Sequence, residues 1–210
     1  MSMYNEEYYL VFPDYEHEEN VGLKPDKKTS KSGFGTEILP PGRPLFFSNA
    51  SPEYIPEGKT EVITDVMFGM GSMVVNEKIK SHLEKFKIDG LQFYPAVYVG
   101  LNGSYHERLW FLNFYSYLDC WDRDMSKYFM DDEDPDEPPT MEIFSLDSKI
   151  LDSVPEESRL IFSMGGLDID YIFIHKKIAD FLTENNITGI RLIPVTEYEL
   201  GIENFPPGEF

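Results

Sequence analysis

Two stretches of the chain repeat one another without a gap. Residues 74–96 (VVNEKIKSHLEKFKIDGLQFYPA) align with residues 173–195 (FIHKKIADFLTENNITGIRLIPV) at a constant offset of 99 positions. The identical positions are Lys78/Lys177, Ile79/Ile178, Leu83/Leu182, Ile88/Ile187, Gly90/Gly189 and Pro95/Pro194. A unit that recurs in this way constrains the fold more than any other feature, because both copies are expected to adopt the same local structure.

Within each copy the apolar pattern changes from a helical period to a strand period. The helical stripe consists of Ile79, Leu83 and Phe86 in the first copy and of Ile178, Phe181 and Leu182 in the second. Asn76 predicts a good N-cap for the first helix, and His175 a poorer one for the second. Gly90 and Gly189 then predict turns, because glycine adopts positive φ at little cost. Each copy therefore predicts strand, helix, turn and strand.

A proline closes each copy. Pro95 and Pro194 follow the alternating apolar residues and have no N–H group to donate to a neighbouring strand. A residue of this kind predicts either the end of a strand or a position at the edge of a sheet.

The remaining segments predict strands and loops. We expect strands or short buried elements at residues 8–12, 45–47, 109–117, 141–146 and 160–164, a hairpin turn at 100–104, loops at 16–36 and 48–59, a helical turn or loop at 148–158, and a tail at 201–210. The nearly continuous apolar run at 109–117 predicts a strand that is buried on both faces or central in its sheet.

The predicted fold class is α+β, with a single domain over residues 1–210. It consists of a mixed, mostly antiparallel sheet of six to nine strands, on which the two repeat units (73–99 and 172–198) pack their helices. Residues 1–60 form a loop-rich N-terminal part, and residues 118–140 form an acidic insertion.

The composition of the chain indicates the cellular compartment in which we expect it to work. Of its 210 residues, 41% are hydrophobic, which is enough for a sizeable core. The single Cys120 excludes an internal disulfide framework, and no apolar stretch approaches the roughly 20 residues that cross a bilayer. The first residues, MSMYNEEYY, lack the basic start and long apolar core of a secretory signal. We expect a cytoplasmic protein without a membrane partner.

The charge is strongly acidic. There are 38 acidic and 18 basic residues, so the formal net charge is −20 and the isoelectric point lies near 4.4. Such a surface repels nucleic-acid phosphates and anionic membranes but attracts basic proteins over long distances. Solubility alone is the competing explanation of this charge. We expect no direct nucleic-acid binding.

The sequence contains no motif that predicts catalysis, a cofactor or a metal site. The histidines occur singly, and Gly69-Met70-Gly71 lacks both the third glycine of a dinucleotide fingerprint and the lysine of a P-loop. Cys120 and His106 are the only cysteine and histidine close together in sequence, but the aromatic surroundings favour a buried, unreactive thiol. We therefore expect no enzyme, no cofactor and no bound metal.

The acidic insertion is the best candidate for a binding site. Six of the seven residues at 131–137 are acidic, and aromatic residues lie just before them. Carboxylates steer a basic partner, and exposed aromatic rings anchor it. The residues predicted to bind a partner are Trp121, Asp122, Asp124, Tyr128, Asp131, Asp132, Glu133, Asp134, Asp136 and Glu137. Alternatively, the aromatic residues belong to the core and the acidic run is a solvated linker.

Several segments together resemble a known family. They are residues 90–95 (GLQFYP), 109–113 (LWFLN), 118–122 (LDCWD) with Ser126, 143–147 (IFSLD), 160–162 (LIF) and 187–195 (ITGIRLIPV). Across residues 60–198 the chain resembles bacterial immunity proteins, a former family of unknown function that is associated with polymorphic and contact-delivered toxin systems. The resemblance implies a protein that binds a cognate toxin, and it implies no catalytic residue.

The sequence thus favours an immunity protein that occludes the active site, or an adjacent surface, of a basic toxin. A nuclease is one such toxin, since an acidic surface suits its positive cleft. Two alternatives remain open. One is a hydrolase or transferase with a carboxylate-lined pocket between the repeat units, and the other is an adaptor module whose apolar strand at 109–117 pairs with another subunit.

Overall fold

The computed structural model describes residues 2–14, 20–29, 37–55, 57–69, 71–130, 134 and 136–205. Their strands are β1 Tyr8–Pro13, β2 Leu23–Pro25, β3 Leu45–Asn49, β4 Val66–Gly69, β5 Ser72–Asn76, β6 Leu91–Val99, β7 Tyr105–Phe114, β8 Tyr117–Leu118, β9 Lys127–Phe129, β10 Thr140–Ile143, β11 Ile161–Met164, β12 Ile172–His175 and β13 Ile190–Pro194. Their α-helices are α1 Glu77–Leu83, α2 Ser148–Ser153 and α3 Lys176–Glu184. Short 3₁₀ helices lie at Met3–Glu6, Pro52–Tyr54, Glu156–Arg159, Val195–Glu197 and Ile202–Asn204.

The strands are divided between three sheets. One has six strands in the order β2-β3-β6-β7-β5-β4, one has five in the order β13-β1-β12-β11-β8, and β9 pairs with β10 alone. Most neighbouring strands are antiparallel, while β3 with β6 and β8 with β11 are parallel. The α+β class is confirmed. The expectation of one sheet of six to nine strands is corrected, because strand periodicity does not show which strands share a sheet.

Both repeat units fold with the same topology. In the first unit β5, α1 and β6 follow one another, and β7 lies between the two strands; in the second, β12, α3 and β13 follow one another, and β1 lies between them. The inserted strand is antiparallel to both neighbours in each case. This arrangement is a split βαβ unit. The inserted strand of the first unit, β7, comes directly after that unit in sequence. The inserted strand of the second unit, β1, lies far before it, near residue 10.

The local predictions for these units are confirmed. The Asn76 side chain accepts a hydrogen bond from the Ile79 amide (3.0 Å), and His175 Nδ1 accepts one from the Lys177 amide (3.2 Å). Gly90 and Gly189 have φ of 73° and 81°, as their turns require.

The two prolines behave differently. Pro194 ends β13 at the edge of its sheet, as predicted. Pro95 does not end its strand, because β6 continues to Val99. β7 lies along one side of this strand, while β3 begins to pair with the other side only at Ala96. Pro95 therefore stands where β6 gains its second neighbour, a position at which a missing donor is tolerated.

The helices of the two units pack on each other. Ile79 and Leu83 of α1 share one apolar core with Ile178, Ala179 and Leu182 of α3. The rings of His82 and Phe181, which occupy equivalent positions 99 residues apart, stack with their centroids 3.6 Å apart and an interplanar angle of 10°. Equivalent positions of the two units thus face each other across this core.

This stacked pair makes the fold sensitive to acid. Burial lowers the pKa of His82, and the nearby charge of Lys85 lowers it further. Because the folded-state pKa lies below the unfolded value, the unfolded chain binds the proton first as the pH falls, so stability is lost below about pH 6.5. We expect His82→Phe, which retains an aromatic ring, to reduce the loss of unfolding free energy between about pH 7.5 and about pH 5.5.

Urea unfolding at the two pH values measures this effect. His106→Phe is the matched control, because His106 lies on β7 and packs against Tyr98 rather than against the helices. An identical pH dependence in the wild type and His82→Phe would contradict the prediction.

The six-stranded sheet closes on itself, and we call the closed sheet the barrel. Its edge strands meet through parallel bridges that join Gly22 to Phe68 and Asn20 to Val62. Gly69 permits this approach, because a Cβ atom there would lie 2.0 Å from the Leu23 carbonyl oxygen. Closure covers both edges of the sheet around an apolar interior. Its strand β2 lies within the segment 16–36 that we expected to be a loop, and three residues are too few to show a period.

Strand β7 is central, as predicted for this apolar run. It pairs with β6 on one side and β5 on the other. Leu109 and Phe111 face the barrel interior, whereas Leu112 faces the core with the helices. The adaptor alternative required this strand to be exposed, so the observed burial removes its basis.

Several other predicted elements are present in the structure. Strands occupy residues 8–12, 45–47 and 161–164, and α2 with a 3₁₀ helix occupies most of residues 148–158. In the turn at 100–104, the Gly100 amide donates a hydrogen bond to the Ser104 carbonyl at 2.9 Å. Within residues 201–205 the expected tail includes a 3₁₀ turn. No helix in the described part of the chain has the length and apolar character needed to span a membrane.

Candidate partner-binding surface

Residues 119–130 and 136–147 form the two arms of a hairpin, which we call the acidic hairpin. Near its base Trp121 and Leu146 form an antiparallel bridge, and the Asp122 amide donates to the Ser145 carbonyl at 2.7 Å. Farther along, β9 pairs with β10. Asn5 helps to fix the base, since its side chain accepts a bond from the Leu146 amide at 2.9 Å. The described acidic residues Asp134, Asp136 and Glu137 therefore follow β9 and precede β10, at the end of the hairpin far from its base.

Trp121 does not form the exposed anchor that we predicted. Its side chain is only 3% exposed and belongs to the core beside Cys120 and Leu146. The Arg123 guanidinium covers one face of the indole at 3.9 Å, and the Tyr128 ring packs against it with centroids 5.0 Å apart. Trp121 is therefore a supporting residue that holds Tyr128 in place.

Tyr128 lies on the surface together with apolar neighbours. Its side chain is 38% exposed, and those of Phe129 and Met130 are 47% and 43% exposed. Met125, in the turn before β9, is 59% exposed. Exposed large apolar side chains that occur together mark sites of interaction more often than those that are scattered. We call these four exposed residues, which lie within residues 125–130 on one arm of the acidic hairpin, its apolar patch.

The predicted carboxylates have different roles. Asp122 is half-buried and shapes a turn, since its Oδ1 accepts from the amides of Asp124 (3.0 Å) and Met125 (3.2 Å). The side chains of Asp124, Asp134, Asp136 and Glu137 are exposed. The predicted residues Asp131, Asp132 and Glu133 lie outside the described residues.

A second loop extends this surface. In residues 165–170, the Asp168 carboxylate accepts a bond from the Thr140 hydroxyl, and the Asp168 amide donates to the Pro139 carbonyl at 3.3 Å. Ile169 in the same loop is 50% exposed, and Asp168 and Asp170 are exposed as well. We call the acidic hairpin together with residues 165–170 the acidic face.

Sequence reasoning missed part of this face. Phe129 was expected, with Trp121 and Tyr128, to anchor a partner, but Met125 and Met130 were not predicted. The residues from Asp168 to Asp170 were missed because they join this face only through a contact between distant segments. The alternation of acidic and apolar residues at 167–170 (LDID) after two glycines is the local signal that points to an exposed loop there.

The described residues offer little for catalysis. No group of three or more histidine, cysteine, aspartate or glutamate side chains among them could hold a metal ion. Cys120 is fully buried, and burial raises the pKa of its thiol. A hydrogen bond from the Trp110 indole lowers the pKa of Glu77, and one from Lys177 lowers that of Glu156. Both residues lie in the first turn of a helix.

A cleft of about 770 Å³ lies where the two sheets meet. Its walls come from β1 and β7, which are the inserted strands, from the start of β12 in the second repeat unit, and from β4, which lies outside both units. The carboxylates along it are Asp14 and Asp170, and its described lining contains no histidine, cysteine, lysine or arginine. A pocket therefore exists near the place that the enzyme alternative required, and its described lining offers serine and threonine hydroxyls without a histidine or lysine to activate them.

Comparison with protein families identifies the family of this chain. A family model described as "Immunity protein family (Imm11)" matches residues 2–197 of the 210. The match contains both repeat units, the acidic hairpin and the strands that complete the two large sheets. No curated protein matches this chain.

Proposed function

Because the chain belongs to the Imm11 immunity protein family, we propose that it binds a cognate toxin through the acidic face and thereby blocks the toxin's active site or an adjacent surface. The observation that carries this proposal is the combination, on one hairpin, of an apolar patch and exposed carboxylates. Apolar side chains at the centre of an interface supply most of the binding energy, and charges around them steer the encounter.

Charge favours a basic toxin. The net charge of −20 attracts a positive partner, and the carboxylates of the acidic face concentrate that attraction beside the apolar patch. A nuclease fits, because its cleft is positive where it binds phosphates. We place the interaction in the cytoplasm, where such a toxin would meet its substrate. Inhibition by occlusion requires no reaction and no cofactor.

The first test identifies the toxin. The product of the adjacent upstream gene should co-purify with this protein when both are expressed together, and its toxicity should be suppressed. A neighbouring product that neither binds nor is neutralised would contradict the proposed function.

The second test concerns the acidic tip. Neutralising Asp134, Asp136 and Glu137 with Asn, Asn and Gln is expected to lower the association rate constant about tenfold at low salt and to flatten its salt dependence. Asn at position 134 retains a side-chain acceptor for the Asp136 amide, which lies 3.2 Å away. Stopped-flow association at several salt concentrations measures the effect.

The matched control removes the same charge elsewhere. Glu53→Gln, Asp180→Asn and Glu184→Gln change three exposed carboxylates outside the acidic face. If the two triple variants associate equally fast, the net charge rather than the acidic tip steers the toxin.

A further inference from the structure

The cleft between the two large sheets is lined by aromatic rings and two carboxylates. Half-buried aromatic rings line it, namely Phe12, Phe68, Phe114 and Tyr117. The buried Phe111 and Tyr171 and the exposed Tyr54 also belong to its described aromatic lining. Since the described lining carries two carboxylates and no basic side chain, the electrostatic potential within it favours a cation. Aromatic rings with nearby carboxylates are the surroundings in which a cation is held by its charge and by the ring faces.

One carboxylate of the cleft lies beside a tyrosine. Burial raises the pKa of Tyr117, and the negative charge of the neighbouring Asp170 carboxylate raises it further. Tyr117 belongs to β8, which pairs with β11 at the edge of the five-stranded sheet. Asp170 itself is exposed, and an entering cation can reach its carboxylate without displacing a buried group.

The cleft is continuous with the acidic face. Asp168 accepts a hydrogen bond from Thr140 of the acidic hairpin, and Asp170, two residues further along the same loop, lines the cleft together with Tyr117. The exposed Ile169 lies between them. A protein bound on the acidic face therefore has the mouth of the cleft next to it.

We propose that this cleft receives a basic side chain of the toxin, and that Asp170 and the aromatic walls bind its charged group. This inference rests on the proposed function for the origin of the side chain. Arginine suits the cleft better than lysine, because a planar guanidinium stacks on aromatic rings while it donates hydrogen bonds to a carboxylate. The cleft, with its volume of about 770 Å³, has room for an arginine and its flanking peptide groups.

A small probe tests the cleft without the toxin. N-acetyl-arginine amide is titrated into the full chain, and N-acetyl-citrulline amide, which has the same shape and no charge, is the matched probe. We expect saturable shifts of the amide NMR signals of Tyr117, Asp170 and Ile172 with the arginine probe and much smaller shifts with citrulline. Equal shifts with both probes, or no saturable shift, would overturn the inference.

A variant of Asp170 then tests whether its carboxylate contacts the arginine probe. Asp170→Asn is expected to weaken the binding of the arginine probe about tenfold, because a charge-assisted hydrogen bond becomes a neutral one. The control is Asp180→Asn, an exposed carboxylate on α3, which should leave the probe affinity unchanged. Unchanged probe affinity in Asp170→Asn would refute the role of its carboxylate.

The same variant separates this inference from the proposed function. With the toxin, Asp170→Asn should raise the dissociation rate constant about tenfold, since it removes a contact made after docking. A toxin that binds the wild type and Asp170→Asn with equal affinity refutes the cleft as its receptor but leaves the proposed function intact. A neighbouring product that does not bind at all refutes the proposed function, while the arginine probe still decides whether the cleft binds a guanidinium.

Discussion

Replacing both Tyr128 and Phe129 with alanine is expected to weaken toxin binding about 100-fold, mainly through faster dissociation. The two rings are 38% and 47% exposed in the free protein, so their removal leaves no large internal cavity. In the complex they would become buried, and truncation would then remove most of the apolar contact at the centre of the interface. Surface plasmon resonance with the purified toxin measures both rate constants.

The control for this variant is an exposed apolar pair on another hairpin. Leu101 and Tyr105, at the turn between β6 and β7, are 55% and 67% exposed. Their double alanine variant should bind the toxin as the wild type does. If that variant loses as much affinity as the Tyr128 and Phe129 variant, the acidic hairpin is not the main site of contact.

Replacing Gly189 with alanine is expected to lower the free energy of unfolding by about 3 to 5 kcal/mol. Gly189 has φ of 81°, which strains any other L-residue. In addition, a Cβ atom there would lie 2.2 Å from the Val66 carbonyl oxygen. The backbone would have to move apart, and the bond from the Val66 amide to the Thr188 carbonyl (3.1 Å) would be lost. A small domain has only about 5 to 15 kcal/mol of stability in total.

The variant Gly103→Ala separates backbone strain from the steric clash of the added Cβ atom. Gly103 has φ of 80°, but a Cβ atom there would have no neighbour within 4 Å. We expect this variant to lose only about 1 kcal/mol, from backbone strain alone. Urea unfolding of both variants gives the difference that belongs to the close approach at Gly189. Equal losses would show that the contact between the turn at 188–189 and the start of β4 is unimportant for stability.

Local patterns in the sequence predicted the repeat units well. Apolar spacing, the Asn76 cap and the turn glycines act over a few residues, so the sequence itself displays them. Pairing between distant strands leaves no such local pattern. For this reason the insertion of β1 and β7 into the units, the closure of the barrel and the continuation of β6 through Pro95 were not predicted.

The candidate site shows the same limit on prediction. Trp121 and Tyr128 are aromatic residues in the same acidic segment, yet one is 3% and the other 38% exposed. Trp121 is buried because its bridge to Leu146, which is distant in sequence, places it in the core, where the Arg123 guanidinium also covers one face of the indole. The loop at 165–170 likewise joins the acidic face through the contact of its Asp168 with Thr140, which is distant in sequence.

The place of β1 in its sheet has a consequence for biosynthesis. β1 ends at Pro13 and leaves the ribosome well before its partners β12 and β13, which begin only at Ile172 and Ile190. Until these two strands have been made, β1 has neither neighbour and exposes two unpaired edges. The barrel contains only earlier strands and can form first, whereas the five-stranded sheet that carries β8 and one wall of the cleft forms last. A cell that needs protection from the toxin therefore gains it only when synthesis has passed β13.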